Sequence, residues 1–331
     1  MRLTLRAAIS IGLLGLISSR VDWRLIPNYL EDANLLAMVG AMVLITLSRV
    51  LMPAKWRLLL TAKGINIRYP RLLKMYYTAN FLGQVLPATV GTDLVRLHYA
   101  TVNGASRTMV AASIVVERLL GVLALLIFAS SGIAILTIGY SASVARDVWL
   151  TLLVASTVAG FGLLVSLTYS DWLLRLFKSL SRPGSQPPGR LSGRVWSTLM
   201  AVAEACLRYV HVPRALLSFF GLTLLECGIL VSARYLVISA FVPGISLLYV
   251  ISFAPVVIFL HRLPISFAGW GVYQAGFVYF LTQVGVDTGM ALMIGIIDQL
   301  IVLITVLPGA GFYLHGNRIA ESREEGHDPV S

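Results

Sequence analysis

A small group of charged residues lies inside or beside long apolar stretches of this sequence. The group consists of Asp93, Arg96, Glu117, Arg118 and Asp298. A charge near the centre of a lipid bilayer costs about 2.5–3.5 kcal/mol on insertion scales, so such residues are kept for a function or are paired with one another. Arginine binds phosphate groups well, and a carboxylate can orient the arginine or exchange protons. The pattern predicts that Arg96 and Arg118 receive a lipid phosphate.

The same residues also have a structural interpretation, which the sequence leaves open. Arg96 could pair with Glu117, and Arg118 could pair with Asp298. Buried ion pairs of this kind would hold helices together without contacting any ligand.

The first set of candidate residues lies in a segment at 72–97 that Pro and Gly interrupt. Pro87 should end one helix, and Gly91 permits a tight turn before a short helix that we expect to begin near Thr92. The amino terminus of that helix would offer free N–H groups to an anion. Asp93 and Arg96, three residues apart, would share one face of it. We add Asn80, which precedes the break, to the predicted site.

A second interrupted segment occupies 263–285 and contributes the remaining candidates. Small residues in this segment would let two backbones approach closely, and the site prediction here comprises Pro264, Ser266, Gly269, Gly271 and Gln274. The two segments indicate an internal repeat, because the spacing from proline to the following acid is 117 − 87 = 30 in one and 298 − 264 = 34 in the other. Whether the repeat is inverted or parallel is not decided by the sequence.

Paired broken helices are typical of transporter binding sites, since broken helices expose backbone groups that a cavity or ligand must satisfy. The alternative is that each break is a proline kink in an ordinary transmembrane helix.

The composition requires a membrane around these segments. The chain is 57% hydrophobic and 12% charged, with a mean hydropathy of +0.83, which leaves too little polar surface for a soluble protein of this length. Apolar runs long enough to cross a bilayer lie at 4–19, 34–54, 109–138, 148–169, 215–241, 245–260 and 289–314. We therefore predict an all-α integral membrane protein with about seven or eight transmembrane helices and two re-entrant segments. The first run could instead be a cleaved signal peptide, although an uncleaved helix is the simpler interpretation.

Basic residues indicate the orientation of the chain. The net charge is +11, and Lys and Arg are concentrated in the connections 55–74 and 170–214. Such connections are cytoplasmic as a rule, so we predict a multi-pass protein of the cell (inner) membrane with a cytoplasmic amino terminus, and no nucleic-acid partner.

The predicted organisation has two membrane halves, 1–180 and 215–315. A basic linker and amphipathic helix at 181–214 separates them, and a polar tail follows at 316–331.

No motif for a cofactor, a metal ion or a catalytic nucleophile is present, so we predict no cofactor, no metal and no catalytic residue. Cys206 and Cys227 are not expected to form a disulfide.

Taken in order, the motifs resemble the membrane domain of lysylphosphatidylglycerol synthases and their stand-alone, flippase-like relatives. The resemblance covers about 10–315 and rests on Asn80, Leu86-Pro87, Gly91, Asp93, Arg96, Glu117-Arg118-Leu119, Leu263-Pro264-Ile265-Ser266, Gly269 and Gly271. It implies a bundle of about eight spanning or re-entrant helices that moves a phospholipid or a polyprenyl-linked lipid between leaflets. This chain lacks the synthase domain, so it is not expected to make lysylphosphatidylglycerol.

Three departures from the family pattern concern charge and turn geometry. The family commonly has a second glycine where this chain has Thr92, an acid near Gln274, and an acid–arginine pair where this chain has Asp298-Gln299. These departures leave open whether the lipid bound by this chain has a different headgroup from the lipid of its relatives.

Two other hypotheses remain beside lipid translocation. The chain could be a non-catalytic membrane partner of a glycosyltransferase or of another lipid-modifying enzyme, since some relatives are fused to such domains. It could also be a membrane-embedded transferase that uses Asp93 or Glu117 as its base.

Overall fold

The computed structural model describes residues 11–12, 15–19, 24, 26–31, 33–85, 89–102, 104–139, 193–262 and 269–315. Within these residues the chain is helical and contains no strand, which confirms the all-α prediction. The predicted span at 148–169, the linker before residue 193, the tail at 316–331 and most of the run at 4–19 lie outside the described residues.

Ten α-helices are described. They are α1 (Ile26–Glu31), α2 (Leu35–Thr61), α3 (Tyr69–Val85), α4 (Thr89–Val102), α5 (Arg107–Gly139), α6 (Gly193–Leu207), α7 (Pro213–Ser239), α8 (Leu247–Arg262), α9 (Val272–Thr282) and α10 (Thr288–Ile304). The helical path of α10 continues beyond a turn to residue 315.

Four described helical stretches are long and apolar enough to cross a membrane. They are Leu35–Thr61, Arg107–Gly132, Pro213–Ser239 and Thr288–His315. The separate span predicted at 245–260 corresponds to α8, a shorter apolar helix. Because α8 pairs with α9 in a hairpin, the second interrupted segment begins earlier than the predicted 263–285.

Helices α3 and α4 form a re-entrant hairpin. Leu72 near the start of α3 and Ala100 near the end of α4 belong to one buried cluster, which also includes Trp56 of α2 and Val110 of α5. Both ends of the hairpin therefore lie on the same side of the bundle. The 14 residues of α4 extend about 21 Å, less than the roughly 30 Å of a hydrocarbon core.

Helices α8 and α9 form the second re-entrant hairpin. The Tyr249 hydroxyl, near the start of α8, donates to the carbonyl of Phe280 near the end of α9 at 2.5 Å. The rings of Phe253 and Phe280 stack with centroids 5.1 Å apart. The second hairpin therefore also returns to the side from which it starts.

The two hairpins belong to a fourfold helix repeat. Helices α2 to α5 begin at residues 35, 69, 89 and 107, and α7 to α10 begin at 213, 247, 272 and 288. The differences between equivalent starts are 178, 178, 183 and 181, so the helix lengths and connections recur in the same order.

The repeat is inverted. The amide of Asn34, before α2, donates to the carbonyl of Ala240, after α7, at 2.9 Å. At the other end of α2, the Leu59 carbonyl accepts from the Tyr209 hydroxyl, close before α7, at 3.1 Å. The equivalent helices α2 and α7 are thus antiparallel, which settles the question that the sequence left open.

The bundle has two chemically different sides. We call the side where α2 ends and α7 begins the basic side, because it carries the exposed residues Arg57, Arg68, Arg71, Lys74, Arg107, Arg208 and Arg214. Lys63 donates to the Arg208 carbonyl at 2.7 Å, so the described part of the second basic connection, 193–212, lies on the same side as the first. The opposite end, with Asn34 and Ala240, is the far side.

Two glycines mark matching contacts between the halves. A Cβ atom at Gly132 of α5 would overlap the backbone of Ser252 in α8, and one at Gly309, after α10, would overlap the carbonyl of Tyr77 in α3. Only a residue without a side chain permits such close helix crossings. Each half therefore packs its last helix against the first limb of the other half's hairpin.

Candidate functional site

Arg96 is the centre of the polar cluster in the first half. It projects from α4 and is 1% exposed. Its Nη1 donates to Oε1 of Glu117 on α5 at 3.3 Å, and its Nη2 donates to Oε2 at 2.5 Å. The guanidinium carbon lies 4.1 Å from the ring centroid of Trp56 and 4.4 Å from that of Tyr76. Two aromatic faces and a bidentate carboxylate therefore fix Arg96 in place.

Glu117 is held by a second hydrogen bond. The Tyr76 hydroxyl of α3 donates to its Oε1 at 2.7 Å. Three helices thus meet at this carboxylate, and the structural pairing of Arg96 with Glu117 is confirmed.

Arg118 forms a more open pair with Asp93. Its Nε donates to Oδ2 of Asp93 at 3.0 Å, and its Nη2 donates to Oδ1 at 2.9 Å. The side chains of Arg118 and Asp93 are 40% and 21% exposed. A neighbouring anion could reach this arginine, whereas Arg96 lies behind it.

The predicted pairing of Arg118 with Asp298 is wrong. Asp298 lies in the second half, where Arg234 of α7 approaches its Oδ2 at 3.5 Å and the Tyr273 hydroxyl of α9 donates to the same oxygen. The residue is 0% exposed, and its other oxygen, Oδ1, has no hydrogen-bond partner in the described structure. The reason is geometric, because α5 directs Arg118 toward its own hairpin and α10 directs Asp298 toward α7 and α9.

Gln274 and Gln299 repeat the geometry of Asp93 and Arg118 without charge. The Gln274 Nε2 donates to Gln299 Oε1 at 2.7 Å. The separation is 299 − 274 = 25 residues, and 118 − 93 is also 25. An amide pair therefore stands where the first half has an ion pair.

Gly271 explains part of the second motif. Its φ of +88° favours glycine, and its N–H donates to Gln274 Oε1 at 2.8 Å. Gly269 also has a positive φ, of +80°. The candidates Pro87, Pro264 and Ser266 lie outside the described residues.

The position of Gly91 corrects one detail of the predicted turn. Helix α4 begins at Thr89, so Gly91 lies in the first helical turn and the turn precedes it. A Cβ atom at Gly83 would overlap the Thr92 side chain, which shows how tightly the two limbs approach near the break.

Three cations inside the bundle escaped the sequence analysis, namely Lys55, Arg49 and the Arg234 described above. Lys55 of α2 forms an ion pair with Glu226 of α7, and both side chains are 4% exposed. Arg49 of α2 donates through Nη1 to Oδ1 of Asn80 on α3 at 3.1 Å. Asn80, a predicted site residue, also donates to the Tyr76 carbonyl. Arg49 lies inside the predicted span 34–54, and Glu226 and Arg234 lie inside the predicted span 215–241. A charged residue within an apolar span was the signal that could have identified them.

Neither cysteine forms a disulfide, as predicted. In the described part of the chain, no group of three or more His, Cys, Asp or Glu residues could hold a metal ion.

The family described as the lysylphosphatidylglycerol synthase TM region matches residues 3–309. No curated protein matches the sequence.

Proposed function

Because the chain belongs to the lysylphosphatidylglycerol synthase transmembrane-region family, we propose that it moves a phospholipid or a polyprenyl-linked lipid between the two leaflets. The family places the chain among membrane proteins of lipid metabolism or transport. The finer assignment, translocation, rests on the geometry of the first hairpin and on the inverted repeat.

The half-open pair of Asp93 and Arg118 is the observation that carries the proposal. A lipid phosphate can replace Asp93 as the bidentate partner of Arg118, since phosphate and carboxylate present similar oxygen pairs. Arg96 is a positioning residue in this scheme. It lies 3.5 Å from Asp93 through Nη1, so it can hold that carboxylate once the phosphate has taken Arg118.

The inverted repeat supports movement between leaflets. Inverted repeats with broken helices are a recurring design of transporters, in which one half moves against the other around a central site. Here the first hairpin starts from the basic side and the second from the far side. We propose that the basic side is cytoplasmic in a bacterial-type inner membrane, with the amino terminus on the same side.

The test is transport in proteoliposomes. Purified protein is reconstituted with fluorescent phosphatidylglycerol, and in parallel with a fluorescent polyprenyl phosphate, and the label exposed to an outer quencher is followed over time. We expect wild type to accelerate exchange of one of these lipids. Arg118→Gln should slow it at least tenfold, because a lost charged hydrogen bond costs about 1.5–3 kcal/mol.

Arg107→Gln is the matched control, since Arg107 is an exposed arginine of the same helix and should leave exchange unchanged. Wild-type exchange no faster than in protein-free vesicles would exclude the translocase. Full exchange by Arg118→Gln would exclude the assigned site. If exchange is absent while deletion of 182–190 abolishes binding of a co-purified glycosyltransferase, the chain is a membrane partner of that enzyme.

A further inference from the structure

The buried charges of the bundle do not balance. Among the described residues of α2–α5 and α7–α10, the buried or half-buried charged side chains comprise five cations and four carboxylates. The cations are Arg49, Lys55, Arg96, Arg118 and Arg234, and the carboxylates are Asp93, Glu117, Glu226 and Asp298.

Arg49 is the cation that remains without a carboxylate. The other four cations form ion pairs, Lys55 with Glu226, Arg96 with Glu117, Arg118 with Asp93, and Arg234 with Asp298. In the described structure, Arg49 has no carboxylate oxygen within the 4.0 Å that defines those pairs. Its hydrogen bond goes to the neutral amide of Asn80 at 3.1 Å.

Arg49 lies at the middle of a membrane-spanning helix. It is 14 residues after Leu35 and 12 before Thr61, which corresponds to about 21 Å and about 18 Å from the two helix ends. An arginine side chain cannot reach either interface from that depth. Its charge is therefore retained inside the bilayer at a cost, unless another group neutralises it.

The groups around Arg49 do not supply that neutralisation. The carboxylates of the second half already have cation partners, since Asp298 of α10 is paired with Arg234 of α7. Glu226 is itself paired with Lys55. The region where α2, α3 and α7 meet thus has an excess of positive charge.

We propose that Arg49, with Asn80, binds the phosphate of the translocated lipid at mid-depth of the membrane. This inference rests on the proposed function and adds a second phosphate position to the one at Arg118. The guanidinium would donate two hydrogen bonds to phosphate oxygens. The Asn80 amide, whose oxygen accepts from Arg49, would reorient to donate as well.

The surface of α2 favours a lipid over a free anion as the source of that phosphate. The outer face of the helix beside Arg49 is apolar, with Leu47 49% and Val50 36% exposed. Acyl chains can lie along this face while the headgroup reaches inward to Arg49. A free phosphate ion would gain nothing from it.

A groove between α2 and α3 lies between this level and the basic side. It has a volume of about 350 Å³ and is lined by Ala54, Arg57, Leu58, Thr61 and Tyr69. The Tyr69 hydroxyl donates to the Val50 carbonyl at 2.8 Å, one residue from Arg49. Arg57, which is exposed, offers a first contact for an anionic headgroup on the same helix.

Binding is tested on the purified full chain in detergent, in an Arg118→Gln background that removes the phosphate contact proposed at Arg118. The probe is phosphatidylglycerol, compared with diacylglycerol of the same chains and with inorganic phosphate as competitor, and bound lipid is counted by native mass spectrometry. We expect Arg49→Gln to weaken phosphatidylglycerol binding at least tenfold, and Arg49→Lys to weaken it less. Arg107→Gln, a matched charge change at an exposed arginine of α5, should stay within twofold.

Three results would overturn the proposal. Phosphatidylglycerol binding by Arg49→Gln within twofold of its parent would remove Arg49 from the site. Equal binding of diacylglycerol would show that phosphate is not recognised. Displacement of the lipid by inorganic phosphate at comparable concentration would show a free-anion site.

Thermal stability without lipid provides a second readout. Loss of a structural residue lowers the unfolding temperature, whereas loss of a ligand-binding charge without a carboxylate partner raises it. Because Arg49 is an uncompensated charge, Arg49→Gln should raise the unfolding temperature in lipid-depleted detergent by about 2–4 °C. Arg96→Gln, which removes a paired and stacked cation, should lower it. A decrease for Arg49→Gln would make Arg49 a structural residue. Neither readout uses transport, so a failure of the proposed translocation and a failure of this site are seen separately.

Discussion

The two hairpins of the bundle place polar pairs of different character at equivalent positions. In the first half, Asp93 and Arg118 form a bidentate ion pair that is open to its surroundings. In the second half, Gln274 and Gln299 form a neutral amide pair, and these residues are 0% and 7% exposed. The backbone framework is repeated, but the charge is present in one half.

This difference separates the features that the fold requires from those that a ligand-binding site would add. An amide pair is sufficient to join a hairpin to its neighbouring helix, because it satisfies its own hydrogen bonds without burying a charge. The ion pair in the first half must therefore have another reason to be there. Its exposure favours recognition of an anion.

The largest expected effect comes from Glu117→Gln, compared with Asp298→Asn. Glu117→Gln leaves the buried Arg96 without its bidentate carboxylate, which should cost about 3–5 kcal/mol. Asp298→Asn should cost clearly less, because Arg234 approaches Asp298 through one contact of 3.5 Å and keeps Tyr273 and the Leu230 carbonyl as partners. Unfolding temperatures measured by size-exclusion fluorescence give the comparison. Equal losses would contradict the view that the first cluster is the more tightly coupled one.

An intermediate effect is expected when the second half is given the charges of the first. Gln274→Glu and Gln299→Arg should each destabilise by about 1–3 kcal/mol, because each buries an unpaired charge. The double variant should recover at least about 1 kcal/mol of the summed loss, since the two side chains already touch. Additive losses in this cycle would mean that the two hairpins are not equivalent at these positions.

The smallest effect concerns the two cysteines, one packed beside the first half and one inside the second. Burial raises the pKa of the Cys206 thiol to about 11, so its thiolate fraction at pH 8 is about 100-fold below that of an ordinary thiol. Alkylation of Cys206 by iodoacetamide should be correspondingly slow and should rise about tenfold per pH unit up to pH 10. Cys227, 3% exposed within α7, should stay unmodified, as mass spectrometry of the Cys206→Ser variant can check. Rapid alkylation of Cys206 at pH 8 would show that α6 does not cover it.

The sequence predicted much of the first half correctly for a physical reason. The break before Asp93, the short helix and the pairing of Arg96 with Glu117 all arise from residues close together in the chain. Local geometry, such as three-residue spacing on a helix and termination at proline, is readable without the tertiary structure.

The contacts between distant helices could not be predicted in this way. Asp298 pairs with Arg234, and Lys55 pairs with Glu226, because α7 packs antiparallel against α2 and also contacts α10. That arrangement follows from the inversion of the repeat. The spacing of the motifs does not distinguish an inverted repeat from a parallel one. The same uncertainty led to the separate span at 245–260, since an apolar helix of 16 residues fits either a crossing or the limb of a hairpin.

The inverted relation of the halves has a thermodynamic consequence. Suppose that both halves had the same sequence and that each could adopt the conformation of the other. The exchanged state would then open to the opposite side of the membrane with the same free energy, so the two states would be equally populated. Each difference between equivalent residues removes that degeneracy, and about 1.4 kcal/mol is enough for a tenfold preference. The replacement of an ion pair by Gln274 and Gln299 is such a difference. Under the proposed translocation, the divergence of the two halves thus determines the resting orientation of the protein before any lipid has bound.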